Sequence, residues 1–502
     1  MISPVVALAL ALVLVLIVKR LWGLQLRRKS STSWPPGPPG LPIIGNLLQV
    51  PSTDSHLSHF ELARKYGPIF RLKLFQRNVI VLSDLKIAIE LLDKRGAIYS
   101  NRPKFYMSEM AGWEWDAANM MHGDEWRARR RLVHLKFYGN TISHLHGLIR
   151  RTTIEFASNL LKTPDDFEHH IRRSAAANIV GAAYGIRVAE DNDPYIAIGV
   201  QAVESLGTQL LPGSNAIDEF PILRFIPPWV PVLGYWSKAA LELRKYPTAM
   251  RESKGIAQPC MMTDNLASLE PGSEVTEEII KDACGVAYLG GADTTVCTIL
   301  FFLMAMVLWP EYQRKAQQEL DRVVGDRLPE FADCDSLPYL EAIIREIYRR
   351  YPVTPMALAH AVEQDDHYDG FYIPKGTIVL ANVWAMMHDG DVYQDPFTFN
   401  PDRWMRDGKL DETAQDPRKA TFGFGRRICP GRHFADSSVF LTIATMLKCF
   451  DIGTYIEDGV ELPPSGEIIS GVLSCPAPFK CTIKPRSPEA RSLVEAARAT
   501  LD

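Results

Sequence analysis

Residues 276–310 constrain the fold of this chain more than any other stretch. Thr276 followed by Glu277 and Glu278 reads as a helix start, with a capping hydroxyl and acids in the first turn. The helical pattern continues to Pro310, which at ~1.5 Å per residue predicts a rod roughly 50 Å long, enough to cross a domain. Residues 296–309 are apolar but for Thr298, yet the run is too short for a bilayer span, and Asp293, Thr294 and Thr295 stand directly before it. A buried core helix is expected. Its middle reads Gly290-Gly291-Ala292-Asp293-Thr294-Thr295. Two adjacent glycines inside a helix cost about 1 kcal/mol each relative to alanine, which points to a bulge or the close approach of a ligand. An acid beside an alcohol there could relay protons into a buried site. A kinked packing helix is the plainer alternative.

A core helix of that length needs a large body around it. The chain has 502 residues, 47% hydrophobic and 23% charged, which suits a globular protein, and a net charge of −4 gives no reason to expect nucleic acid. Past residue 46 there is no internal repeat, low-complexity tract or second linker. Helical patterns dominate, with β-like segments near 68–82, 370–382 and 470–485, so the fold class is mainly α with small β-sheets (α+β). Eight cysteines are scattered, with no CxxC pair and no His–Cys cluster at zinc spacing. That spacing, and the absence of any N-x-S/T sequon, argue for a reducing compartment.

Residues 2–18 are almost wholly apolar and are followed by Lys19, Arg20, Arg27, Arg28 and Lys29. A cleaved signal peptide would carry its basic residues before the apolar run and small residues at a cleavage site, and neither is present. A single N-terminal transmembrane helix over 1–22 is expected, with the body on the cytosolic side because the positive charge follows the span. A basic and Pro-rich hinge over 23–46 comes next. Its Trp34-Pro35-Pro36-Gly37-Pro38-Pro39-Gly40 cannot be helical and reads as a stiff spacer, or alternatively as a peptide-recognition motif. The catalytic domain is expected over 47–502.

Near the C-terminus, glycines bracket a cysteine in Phe422-Gly423-Phe424-Gly425-Arg426-Arg427-Ile428-Cys429-Pro430-Gly431. Backbone N–H groups in a glycine-bent loop, with arginines close by, stabilise a thiolate. A buried structural cysteine is the rival reading. At Phe422, Gly425, Arg427, Cys429 and Gly431 the loop resembles the cysteine-ligand loop of the cytochrome P450 family. Gly290 to Thr295 is similar to that family's oxygen-activation motif. Glu346 and Arg349 in Glu346-Ile347-Tyr348-Arg349 resemble its ExxR pair, with Arg403 as third member of a structural network. The Pro-rich hinge followed by Leu41-Pro42-Ile43-Ile44-Gly45-Asn46 is what microsomal members carry. Asp416-Pro417-Arg418-Lys419-Ala420 and Pro478-Phe479-Lys480-Cys481 resemble fungal secondary-metabolism members of the O-methylsterigmatocystin oxidoreductase type.

The resemblance implies haem b (iron protoporphyrin IX), with Cys429 as axial ligand to the iron. It puts Trp126 and Arg130, a WxxxR pair, with Arg102, His360, Phe422 and Arg427 around the haem. In many relatives proline precedes the histidine, whereas here Ala359 does. Thr294 would hydrogen-bond dioxygen and Asp293 would help deliver protons. The implied reaction is hydroxylation of a lipophilic small molecule, such as a terpenoid secondary metabolite, using O2 and electrons from NADPH–cytochrome P450 reductase. The implied location is the endoplasmic reticulum membrane. Arg127, Arg129, Arg130, Arg131, Lys136, Arg426 and Arg432 form an expected docking patch for the acidic reductase, or else a solvated charged helix. Substrate walls are expected at Phe105, Tyr106, Met110 and Trp113, at Ala287, at Met356, Ala357 and Leu358, and at Val472 and Leu473. The apolar loop from Phe225 to Pro231 is expected to touch the membrane or to lie buried between helices. A reductase-independent isomerase or dehydratase and a non-catalytic haem sensor are the alternatives. The acid–alcohol pair counts against the first, and Thr294 with the basic patch against the second.

Overall fold

The computed structural model describes residues 33–501 except 52, 140, 190–192, 208, 210–212, 231–233 and 246–258. The expected anchor over 1–22 and the basic start of the hinge lie outside the described residues. Helix α1 (Ser55–Tyr66) leads into strands β1 (Ile69–Leu74) and β2 (Arg77–Leu82). The short α2 (Tyr106–Met110) precedes α3 (Asp124–Phe137), α4 (His146–Lys162), α5 (Phe167–Tyr184), α6 (Pro194–Gly207) and the one-turn α7 (Ala216–Glu219). The central rod is α8 (Glu277–Ala292) and α9 (Thr294–Leu308), followed by α10 (Pro310–Val324) and α11 (Pro338–Arg350). Strands β3 (His360–Ala361) and β4 (Ile378–Ala381) come before α12 (Arg432–Cys449). The chain closes with β5 (Phe450–Glu457), β6 (Val460–Leu462), β7 (Ile468–Ser470), β8 (Ser474–Pro476), β9 (Cys481–Pro485) and a last helix over Pro488–Ala499.

The rod forms where the sequence puts it. The Thr276 hydroxyl accepts the Ile279 N–H at 3.3 Å, capping α8. By length and composition α8–α9 could cross a membrane, but every residue from 296 to 307 is buried in the protein. Packing supplies the reason: α8 lies against α3, α5 and α6, and α9 against α11, α12 and β8. The Phe301 ring stacks on Tyr351 with centroids 4.6 Å apart. Each such fully buried side chain is worth about 1.5–3 kcal/mol. The rod is broken once, at Asp293 (φ −110°), as the glycine pair anticipates.

The largest sheet has the order β1-β2-β4-β3. Strand β2 runs antiparallel to β1 (Ile69 opposite Leu82) and parallel to β4 (Val79 opposite Ile378). Alternate residues of β2 enter different cores, Ile80 and Leu82 on one face and Val79 and Val81 on the other. A second sheet, ordered β6-β5-β9, packs near the C-terminus, and its strand β5 carries no clear alternation in the sequence.

Three expectations need correction. The Pro-rich segment is not a free spacer over its described part. Arg71 N–H donates to Pro36 O at 2.7 Å, Trp34 lies 4.5 Å under the Arg71 guanidinium, and a Cβ at Gly37 would meet Arg71 O at 2.0 Å. Prolines keep this stretch extended, and an extended chain with a glycine at the contact can lie on a sheet edge. The scattered cysteines are not all thiols: Cys297 of α9 and Cys475 of β8 form a disulfide across 178 residues, a separation no local spacing displays. The loop after α7 is not buried between helices. A short 3₁₀ helix covers Pro221–Phe225, and Ile222, Phe225 and Trp229 are 70%, 69% and 80% exposed.

Candidate functional site

The Cys429 loop is wound by backbone geometry. Gly425 has φ +51°, and a Cβ there would meet Leu92 O at 2.3 Å, so only glycine fits. Cys429 N–H donates to Phe422 O at 2.8 Å, closing the loop and bringing Phe422 beside the cysteine. The Phe422 ring in turn meets Tyr348 edge-on at 5.4 Å. Burial pushes the Cys429 thiol up, while the Gly431 N–H and the charges of Arg130 and Arg432 pull it down. The loop also runs straight into the N-terminus of α12, where the helix dipole favours negative charge. Among the described residues no group of three His, Cys, Asp or Glu could hold a bare metal ion. A single half-buried sulfur suits a metal whose other ligands come from a macrocycle.

Beside the loop three arginines converge. Arg102 is buried and donates from Nε to Ala118 O and from Nη1 to Leu358 O and Ala359 O, each at 2.8 Å. Arg427 donates to Ser100 O (2.7 Å), Ala117 O (3.3 Å) and Met120 O (2.8 Å), with its guanidinium 4.2 Å over the Trp126 ring. Arg130, one turn after Trp126 on α3, donates to Ile428 O. Burial presses Arg102 down to about 10, with Asp116 opposing and Arg130 adding to the fall. Burial, Arg102 and Arg130 press Arg427 down to about 8. Strand β3 hangs His360 at the same place, because Ala361 N–H donates to Asn101 O at 2.8 Å. Its Nδ1 faces Tyr99 O at 2.7 Å, and burial with Arg102 and Arg427 holds the imidazole well below its usual value, hence neutral. Crowded buried cations of this kind fit a ligand bearing more than one carboxylate.

Across the break in the rod, the Thr294 hydroxyl at the start of α9 donates to Gly290 O of α8 at 2.8 Å, and a Cβ built at Gly290 would meet no atom within 4 Å. Asp293 is held by Arg172 of α5, whose Nη1 donates to Oδ1 at 2.9 Å and which also bonds Glu168. Burial raises the Asp293 carboxyl and Arg172 opposes the rise. Arg172 escapes the sequence reading because it is 121 residues away. Below the arginines, Glu346 and Arg349 are fully buried. Arg349 donates twice to Glu346 (2.9 and 2.7 Å), Arg403 Nε once (3.2 Å) and Trp404 Nε1 once (3.0 Å), so both carboxylate oxygens are satisfied. Trp404 was not anticipated.

A cavity of about 160 Å³ opens between the sheet and the loops, lined by the Leu358 and Ala359 that Arg102 bonds; Cys429, Asp293 and Thr294 are not among its lining residues. Of the expected walls it takes Phe105, Met356, Ala357, Leu358 and Val472, and adds Leu47, His59, Leu74, Asn119 and Ser214. Its described lining contains no Asp, Glu, Lys or Arg. Tyr106, Met110, Trp113, Ala287 and Leu473 do not line it. Met110 packs on Met107, Ile217 and Ala240, while Trp113 and Ala287 belong to the main core. The expected basic patch also shrinks. Arg129 turns inward to Asp282 (2.8 Å), and Arg130 faces the cysteine loop; Arg127, Arg131 and Arg426 remain exposed.

Residues 35–483 match the sequence model of the cytochrome P450 family. The chain is 38% identical to cytochrome P450 monooxygenase 98 of Postia placenta, over 93% of each chain. It is 37% identical to cytochrome P450 monooxygenase ple1 of Rhodocybe pseudopiperita, over 94% of each. It is 36% identical to tryptamine 4-monooxygenase of Psilocybe cyanescens, over 92% of this chain and 95% of the relative.

Proposed function

This chain belongs to the cytochrome P450 family, and we propose that it hydroxylates a neutral lipophilic secondary metabolite, of terpenoid type, with electrons from NADPH–cytochrome P450 reductase. It is a monooxygenase that uses haem, O2 and a redox partner on a lipophilic substrate. Bound haem supplies dioxygen activation and transfer of one oxygen atom to a C–H bond. Cys429 would hold the haem iron through its sulfur, with the Gly431 N–H, Arg130 and Arg432 favouring the thiolate against burial. Arg102, Arg130, His360 and Arg427 are the proposed propionate partners, with Trp126 stacked beneath Arg427 and Phe422 against the cysteine side.

In this reading the Thr294 hydroxyl would turn from Gly290 O toward the reacting site, and Asp293 would hold a proton on the Arg172 side for delivery there. The carboxylate must loosen from Arg172 to do so. Arg127, Arg131 and Arg426 form the proposed reductase contact. The proposed organisation is an anchor over 1–22 in the endoplasmic reticulum membrane, a hinge over 23–46 and a cytosolic monooxygenase domain over 47–502. The exposed Phe225 and Trp229 support contact with the bilayer.

The observation that supports a neutral substrate is the uncharged lining of the cavity, read as its approach path, since that lining includes Met356 to Ala359 but neither Cys429 nor Thr294. An amine such as tryptamine is cationic near neutral pH, and its burial calls for a carboxylate that the described lining lacks. The test is reconstitution of the full-length protein with reductase and NADPH in vesicles, fed neutral sesquiterpenes or tryptamine. NADPH-dependent gain of one oxygen atom on a neutral compound is expected. Turnover of tryptamine alone, or product formed without NADPH, would overturn the reading.

A further inference from the structure

The turn over 113–120 carries a carboxylate that no motif singles out. Asp116 is 1% exposed, and among the described residues its carboxylate oxygens meet the Ala118 N–H and the Asn119 side chain rather than a lysine or arginine. Its oxygens are spent on its own turn: Oδ1 accepts the Ala118 N–H at 2.9 Å and Oδ2 accepts Asn119 Nδ2 at 2.6 Å. Its carbonyl accepts the N–H groups of Asn119 (3.1 Å) and Met120 (2.9 Å). The turn so wound aims three carbonyls at the arginine cluster. Ala118 O takes Arg102 Nε, while Ala117 O and Met120 O take Arg427.

A neutral asparagine or serine could wind the same turn. A buried carboxylate is costly unless a charge is close enough to compensate it. Burial raises the Asp116 carboxyl above its usual value; the Asn119 and Ala118 bonds, then Arg102 and Arg427, oppose that rise, and Asp116 in turn opposes the fall of both guanidiniums. Glu363 also faces Arg427, but Asp116 is the acid that faces both.

We propose that Asp116 is a positioning residue for the haem-propionate face, fixing Arg102 and Arg427 through the carbonyls of its turn and carrying a negative charge that the two guanidiniums stabilise. This rests on the haem reading of the site. The geometry and the charge are separable. Asp116→Asn keeps an oxygen for the Ala118 N–H but removes the charge, and Asp116→Ala removes both.

The test uses purified full-length holoprotein. The ferric–ferrous reduction potential is measured by spectroelectrochemical titration, and haem loss by transfer to apomyoglobin. Loss of a nearby negative charge stabilises the reduced haem, so both variants are expected to shift the potential to more positive values. Haem transfer is expected to stay near the wild-type rate in Asp116→Asn and to rise roughly tenfold in Asp116→Ala, where the arginines lose their anchored turn. If Asp116→Ala does not fold, the potential of Asp116→Asn still decides. A wild-type potential in Asp116→Asn overturns the proposal even if its melting temperature falls. A wild-type protein that binds no haem would instead refute the reading on which the proposal rests.

Discussion

Burial pushes the Cys429 thiol up and presses the Arg102 and Arg427 guanidiniums down, so each group would gain from an ion of opposite sign, as the proposed haem would supply with its iron and its propionates. At the residue scale, that reciprocity joins the site more closely than any single contact. Thr294 makes a separate prediction. Its hydroxyl now donates to Gly290 O, within reach of the open side of α8. Thr294→Ala is expected to keep NADPH oxidation within a few-fold while product per NADPH falls by about tenfold or more, with hydrogen peroxide taking up the difference. Paired assays of NADPH, peroxide and product measure this, and equal coupling in both proteins contradicts the role. Cys429, Phe422, Arg427 and Thr294 were legible in the sequence because each lies within a few residues of the glycines that shape its backbone. Arg172 and Asp116 were not, because their partners arrive from distant segments and nothing local marks them.

At the scale of elements, the rod could be read from its cap and its unbroken apolar run, and its break from the glycine pair. The ExxR face was readable too, since i and i+3 share one side of a helix; Trp404 as a further donor to Glu346 was not. The shortest helices were the least legible. Helices α2 and α7 are each about a turn long, and tertiary bonds hold them. Asp218 of α7 accepts the Met107 N–H at 3.0 Å, and Arg77 of β2 bonds its backbone carbonyl and pairs with Glu219 at 3.4 Å. Burial pushes the Asp218 carboxyl up to about 6, with the Met107 N–H and Arg77 opposing. Unfolded, the group titrates near about 4. Between these values the folded state holds the extra proton, so this group's contribution falls as pH rises and its cost is complete above about pH 6. Asp218→Asn removes the charge and keeps an acceptor for Met107. Its stability relative to wild type is therefore expected to be higher at about pH 7.5 than at about pH 5, by on the order of 1 kcal/mol. Thermal unfolding at the two pH values checks this, and a constant difference contradicts it.

For the whole molecule, composition and the long core helix suffice to indicate one large helical body with small sheets. The packing of 34–46 on β1 did not follow from sequence, because prolines fix an extended path but not what it lies against. The exposed Ile222, Phe225 and Trp229 give a prediction at this scale. A chain lacking residues 1–32 is expected still to sediment with phospholipid vesicles, and Phe225→Ser with Trp229→Ser to weaken that binding about tenfold or more, since each buried apolar side chain is worth about 1.5–3 kcal/mol. Unchanged partitioning of the double variant contradicts bilayer contact by this loop. The central claim, that Cys429 presents a thiolate to haem iron, is tested most directly by the carbon-monoxide difference spectrum of the reduced full-length protein. A Soret band at the red-shifted position of a thiolate ligand, lost in Cys429→Ser, is predicted. A band at the position of a histidine ligand, or no band at all, would contradict the account.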